Sequence, residues 1–398
     1  GARLFDGVVL TAKYFFDAVG VSFSDKVLVR GVDAKGQIRD LPQHIEEAAR
    51  LGSRALLVTG RTALKKAGIT EHLTELLEEA GVEVSLFDRV PPEPDLESVD
   101  AAREQLERDA CDLVVEAGGG SAIDAGKAAA GLANEPAPTK EYHGGREITR
   151  PALPHIAIAT TSGTGSEATQ NSVITDPDRR LKKSIRGDGL LPDVAVVDAE
   201  LTLSCPPGVT AGSGMDALVQ AIESYFSTHA IPTTEALSLR AVELIAPNLP
   251  VAFEDGENAA ARAALAEGSH MAGLALGSAR LGAVHGMAHP VGLVYDLPHG
   301  VVCAILMPQV LEQNMTAATD KYDELRRALG GEPVQVCEAL LNELDLPHTP
   351  GPYPDPEDEQ LILDYALNSG SSAANPTPVD ADYVRSVLRG VCRSASSA

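Results

Sequence analysis

The first half of the chain alternates short apolar runs with amphipathic stretches. "RALLVTG" (54–60) is a run of strand length closed by glycine, which predicts a buried strand. "TEHLTELLEEAGVEVSLFD" reads as a helix stopped at Gly81 and then a second strand. "ESVDAAREQLERDAC" is an amphipathic helix, and "DLVVEAGGGSAIDAGKAAAGLA" is strand, glycine turn and helix. "HIAIATTSGTGSE" is a strand running into another Gly-rich turn, and "DVAVVDAEL" is a further strand. Such alternation predicts a doubly wound, mainly parallel sheet covered by helices on both faces.

The pattern changes near residues 196–205. Beyond them "TAGSGMDALVQAIESYFS", "PTTEALSLRAVELIAPNLPVAF", the long stretch from "ENAAARAALAEG" to "VHGMAHPVG", "CAILMPQVLEQNM", "DKYDELRRALG" and "PVQVCEALLNELD" all carry helical patterns. The expected organisation is an α/β dinucleotide-binding domain over 1–198 and an all-α metal and substrate domain over 199–398. The Pro-rich "LPHTPGPYPDPED" (346–358) reads as a loop within the second, and "RSASSA" as a frayed end.

Composition narrows the class. A hydrophobic fraction of 44% is enough for a full core, and with 398 residues two domains are expected. The net charge of −25 excludes nucleic acid and anionic membrane as partners, because phosphate backbones need Lys and Arg to replace their counterions. No run of 18 apolar residues occurs, so no membrane span is expected. The opening "GARLFDGVVLTAKYFF" lacks a signal-peptide pattern. The five cysteines are odd in number, far apart and without a CxxC pair, which points to free thiols in a reducing cytoplasm.

Two glycine turns offer an anion site. In "EAGGGSAIDAGK" (116–127), Gly118, Gly119 and Gly120 let the backbone approach a phosphate at a helix start. Ser121 can cap and donate there, and Asp124 is expected in the first helical turn, bonding serine or ribose hydroxyls. The pattern is neither GxGxxG nor a Walker loop, and a plain strand–helix turn has the same composition. "TTSGTGSEAT" (160–169) adds a second hydroxyl-rich turn at the same carboxyl edge of a parallel sheet, where open α/β folds bind ligands. The strand 54–60 ends in Gly60-Arg61, with no carboxylate for a ribose 2′-OH, and Arg61 can meet a 2′-phosphate; both favour NADP over NAD.

The helical half holds the candidate metal chemistry. A helix starting near Met215 would place Asp216 in its first turn and Asp216 and Gln220 on one face, with Glu223 and Tyr225 pointing elsewhere. "VHGMAHP" puts His285 and His289 one turn apart, a spacing at which imidazoles converge on a metal, although helix histidines also simply pack. Pro298 and Gly300 around His299 mark a tight turn that can aim the third imidazole at the same point. Asp with several His on separate segments suits Fe(II) or Zn(II).

Together, "GGGSAIDAGK", "TTSGTGSEAT", "LLPDVAVVDAELT", "GMDALVQAIESY", "LGAVHGMAHPVG" and "LPHG" resemble the iron-containing, group III alcohol dehydrogenases over nearly the whole chain. The resemblance implies an α/β nucleotide domain, a helical domain, and hydride transfer between a nicotinamide cofactor and an alcohol–aldehyde pair. It implies a phosphate turn at Gly119, Gly120, Ser121 and Asp124, and a second nucleotide turn at Thr160, Thr161 and Thr164. Lys182 matches a lysine near the nicotinamide ribose, with Lys183 adjacent. Gly60 falls where many members carry an NAD-selecting Asp, which agrees with the NADP reading. The family holds its metal with one Asp and three His. Asp216, His285 and His299 match three of these, while the fourth position is Gln220, a neutral and weaker donor than imidazole. The expectation is a weakened Fe(II) or Zn(II) site, NADPH as reductant, a small aldehyde as substrate, and His289 as proton relay. Members are commonly homodimers or larger. A metal-free oxo-acid reductase like maleylacetate reductase, and a non-catalytic nucleotide-binding homologue, are the rival readings; a dehydroquinate-synthase-like lyase shares the architecture but not the local motifs.

Overall fold

A computed structural model describes residues 26–30 and 48–393. The opening segment without a leader pattern and the last five residues lie outside the described residues. The chain divides into two compact units. One contains the residues up to Thr161 and Ser166–Ser204; the other contains Ser162–Gly165 and the chain from Cys205 onward.

The first unit is the expected α/β layer. Its strands are β1 (Lys26–Arg30), β2 (Arg54–Gly60), β3 (Glu83–Val90), β4 (Leu113–Gly118), β5 (His155–Ala159), β6 (Asn171–Asp176), β7 (Leu181–Arg186) and β8 (Val194–Asp198). Six form one sheet in the order β1-β8-β5-β4-β2-β3, with every neighbouring pair parallel. The helices are α1 (Ala63–Lys66), α2 (Ile69–Glu79), α3 (Leu96–Arg108), α4 (Gly120–Leu132) and α5 (Thr139–His143). Strands β4 and β5 are buried along their whole length in the parallel sheet, and their two ionisable residues, Glu116 and His155, pair with each other at 2.8 Å. The antiparallel pair β6–β7 stands apart from this sheet. Its sequence, "NSVITDPDRRLKKSIR", alternates too weakly to have been read as strand.

The second unit is helical throughout: α6 (Pro207–Phe226), α7 (Pro232–Glu254), α8 (Ala259–Ala279), α9 (Ala283–Tyr295), α10 (His299–Asn314), α11 (Thr319–Leu329), α12 (Pro333–Glu343), α13 (Pro356–Asn368) and α14 (Ala381–Val391). One large apolar cluster runs through it, built from Met215, Leu218 and Ile222 of α6 with residues of α7 to α14. Among the described residues α7 alone has the length and composition of a membrane span, but it packs on α6 and α8 and lends Val242, Ile245 and Leu249 to that cluster. Three sequence expectations are corrected. The stretch 257–292 is two helices, broken where Arg280 takes a positive φ of 64°. The Pro-rich loop ends at Asp355, whose carboxylate caps α13. Finally, α6 starts at Pro207, eight residues before Met215, because a proline at the first helical position costs no hydrogen bond. Asp216 therefore sits mid-helix and is not a cap.

Candidate functional site

The first glycine turn joins β4 to α4. Gly118 has φ 151°, and a Cβ there would lie 2.7 Å from that of Ala122, so the backbone can turn this sharply only with glycine. Gly119, not Ser121, is the N-cap of α4. The Ser121 hydroxyl instead donates to the Pro92 carbonyl. The Thr160 N–H donates to the Gly118 carbonyl at 2.9 Å, which ties the two turns together, and Thr161 stands beside Gly119. Thr164 falls in the short segment that belongs with the helical unit. Gly60 ends β2 with open space around its Cα, and the exposed Arg61 donates to the Arg89 carbonyl at 3.3 Å.

Asp124 is the fifth residue of α4, one place beyond the first turn, and it is buried. Its carboxylate accepts from the Ser166 hydroxyl and from the Val173 N–H at 3.0 Å. Beside it, the fully buried Lys127 donates to the Ser166 carbonyl at 2.6 Å and the Thr169 hydroxyl at 3.1 Å. Burial lowers the Lys127 pKa to about 8, against the pull of Asp124, Glu116 and Glu167. These groups buckle the second turn onto α4. Lys182 lies on β7, paired with Glu93.

The metal-type cluster lies wholly within the helical unit. Asp216 comes from α6, His285 from α9 and His299 from the first residue of α10. A Cβ on Gly300 would overlap the Gly212 carbonyl, so the start of α10 sits directly on α6, one turn before Asp216. The Asp216 Oδ1 is 3.2 Å from His285 Nε2 and 3.7 Å from His299 Nε2. The His289 ring stacks on His299 with centroids 4.8 Å apart and an interplanar angle of 23°. Gln220, one turn after Asp216, is buried, and its Oε1 has no hydrogen-bond partner among the described residues. An orphaned buried acceptor one helical turn from Asp216 fits a polar or cationic partner better than a closed apolar core.

Two residues of this cluster escaped the sequence reading. Glu223 was expected to point away from Asp216, but seven residues is two helical turns and returns it to the same side. It accepts from His285 Nδ1 at 2.6 Å, from the Val284 N–H at 2.6 Å and from the His285 N–H at 3.3 Å. With Nδ1–H committed to a carboxylate, Nε2 of His285 is the atom that faces Asp216, and a metal would take the place of the proton it carries there, the carboxylate–histidine arrangement of metal sites. Burial opposes a charge on His285, but the Asp216 and Glu223 carboxylates outweigh it and raise its pKa well above the usual imidazole value. Cys303 is the second such residue. It is buried one turn after His299, and burial pushes its thiol up to about 11. Its i, i+4 spacing from His299 was the available signal.

Residues 32–199 match the family described as iron-containing alcohol dehydrogenase, and residues 210–392 match its C-terminal domain. The NAD-dependent methanol dehydrogenase of Bacillus methanolicus is 35% identical over 299 residues, covering 75% of this chain and 78% of that protein. The 1,3-propanediol dehydrogenase of Klebsiella pneumoniae is 40% identical over 281 residues, covering 70% and 72%. The solved alcohol dehydrogenase from Oenococcus oeni superposes with a TM-score of 0.83 at 31% identity, over 88% of this chain and 96% of that one.

Proposed function

The chain belongs to the iron-containing alcohol dehydrogenases, an oxidoreductase family, and from that premise we propose that it transfers hydride between NADPH and a small aldehyde or alcohol at a metal-dependent site. Asp216, His285 and His299 would hold the metal, with Gln220 standing at the position of the family's fourth ligand. When bound, a divalent ion supplies Lewis-acid polarisation of the carbonyl and stabilises developing alkoxide charge. The protein's own groups do the rest. Glu223 keeps the proton of His285 on Nδ1 and so leaves Nε2 available as a donor. His289, held flat against His299, relays a proton to the alkoxide oxygen. The N–H groups of the Gly118–Ser121 turn receive the cofactor phosphates, with Thr160, Thr161 and Thr164 as hydroxyl partners, and Lys182 serves the nicotinamide ribose. Asp124 acts at one remove, by fixing Ser166 and Val173 under the second turn. The space at Gly60 and the cation of Arg61 favour the 2′-phosphate of NADPH, unlike the NAD-dependent relative from Bacillus.

The observation that carries this reading is the convergence of Asp216 Oδ1 and the Nε2 atoms of His285 and His299 from three separate helices. The test is metal content and NADPH oxidation with a panel of small aldehydes on one preparation, with Gln220→His measured alongside. Turnover that tracks bound metal, and tighter Fe(II) binding by the variant, are expected. Metal binding no tighter in Gln220→His than in the parent overturns the account of Gln220. Reduction of an oxo-acid by metal-free protein overturns the metal.

A further inference from the structure

The family resemblance implies a metal held by one carboxylate and three imidazoles, and here the amide Gln220 stands at one imidazole position. A different side chain stands where it can complete the set. The Cys303 Sγ is 3.6 Å from His299 Nε2 and 3.9 Å from His285 Nε2. One donor atom from each of Asp216, His285, His299 and Cys303 lies within 4.8 Å of the other three. Zinc bonds of ~2.3 Å to sulfur and ~2.0–2.2 Å to nitrogen and oxygen, set at tetrahedral angles, separate N from O by ~3.4 Å and N from S by ~3.6 Å. The observed N···O distances of 3.2 and 3.7 Å and N···S distances of 3.6 and 3.9 Å bracket or lie a few tenths above those separations. Four of the six donor separations are thus within a few tenths of an ångström of those of tetrahedral zinc. The sulfur is held there by the backbone, because Cys303 is one turn along α10 from His299 and fully buried.

We propose that Cys303 is a direct thiolate ligand of the metal, replacing the imidazole absent at position 220 and making this a zinc-selective site. The inference rests on the reading of this cluster as a metal centre. Binding converts the thiol to a thiolate: the S–H bond breaks, a sulfur–metal bond forms, the proton leaves to solvent, and no redox change occurs. Two carboxylate-or-thiolate charges then balance a divalent ion, so the bound centre is neutral, whereas one carboxylate with three imidazoles leaves one positive charge. Thiolate is a soft donor, and a set of one sulfur, two imidazole nitrogens and one oxygen suits tetrahedral Zn(II) better than Fe(II). The other four cysteines lie outside this cluster.

The test is cobalt substitution of the full-length protein, read by absorption, with zinc affinity measured by competition against a chromophoric chelator. The parent, Cys303→Ser, Cys303→Ala and His285→Ala are compared, and circular dichroism checks that each is folded. A near-ultraviolet thiolate-to-cobalt charge-transfer band in the parent is expected, absent from both Cys303 variants. Zinc affinity in those variants should fall by more than the ~10–100-fold typical of losing a supporting hydrogen bond. A stoichiometric, His285-dependent cobalt complex without that band overturns the cysteine ligand and leaves the metal site standing. Failure of the parent to bind either metal stoichiometrically overturns both. A parent complex without the band overturns the cysteine ligand even if a Cys303 variant does not fold.

Discussion

Replacing Glu223 by Gln tests how the site is held together. One Glu223 oxygen accepts from the Val284 N–H at 2.6 Å; the other accepts from His285 Nδ1 at 2.6 Å and the His285 N–H at 3.3 Å. An amide keeps one acceptor oxygen and places an NH2 at the other end. If the NH2 faces Val284, a buried N–H loses its acceptor and meets another donor. If it faces His285, Nδ1 must become an acceptor, and the proton moves to Nε2, where it blocks the donor lone pair. Hydrogen bonds to charged acceptors contribute ~1.5–3 kcal/mol each, and a stranded buried donor costs ~1–3 kcal/mol. We expect Glu223→Gln to lose ~2–4 kcal/mol of unfolding free energy in the metal-free protein, measured by urea titration. Metal affinity should fall ~10–100-fold, the usual cost of removing a carboxylate behind a ligating histidine. A variant that unfolds at the parent's urea concentration and binds metal as tightly would refute the claim that Glu223 sets the His285 tautomer.

Gly282→Ala approaches the same network from the other side: its Cβ would lie 2.8 Å from the Glu223 carboxylate and 2.9 Å from Asn375 Oδ1. Overpacking of this kind costs ~1–3 kcal/mol, readable in the same urea titration, and should weaken metal binding together with stability. Arg61→Ala should weaken NADPH binding while leaving NADH nearly unchanged, by the ~10-fold or more that a charge-assisted contact of ~1.5–3 kcal/mol supplies, and Gly60→Asp should shift preference further towards NADH; fluorescence titration of both cofactors checks each. Lys127 gives a pH signature. Its pKa falls from 10.5 unfolded to about 8 folded, so burial of the ammonium penalises the folded state fully below pH 8, and the penalty is lifted as pH rises to 10.5. The parent should therefore gain up to ~3 kcal/mol relative to Lys127→Met across that window, and a difference that does not change with pH would count against a charged, buried Lys127.

Much of the architecture was legible along the chain because its signals are local. The strands β2, β4, β5 and β8 are short, mainly apolar runs, and burial in a parallel sheet demands such runs. The pair β6–β7 was missed, because a small two-stranded sheet outside the main one imposes no strong alternation. The start of α6 was missed because "PGVTAGSG" is too rich in glycine to look helical, although packing against α10 holds it so.

Residue order alone carries the α/β-then-helical organisation, the two glycine turns, and the candidates Asp216, Gln220, His285 and His299. Each of these is a matter of residue type and spacing within one segment. The packing of the helices, by contrast, brings Glu223 to His285 across 62 positions and the Cys303 sulfur into the same cluster as Asp216. Periodicity tells which face of a helix a residue occupies, but not which other helix that face meets. That depends on how the helix ends pack, here on a glycine at 300 seated against the backbone at 212.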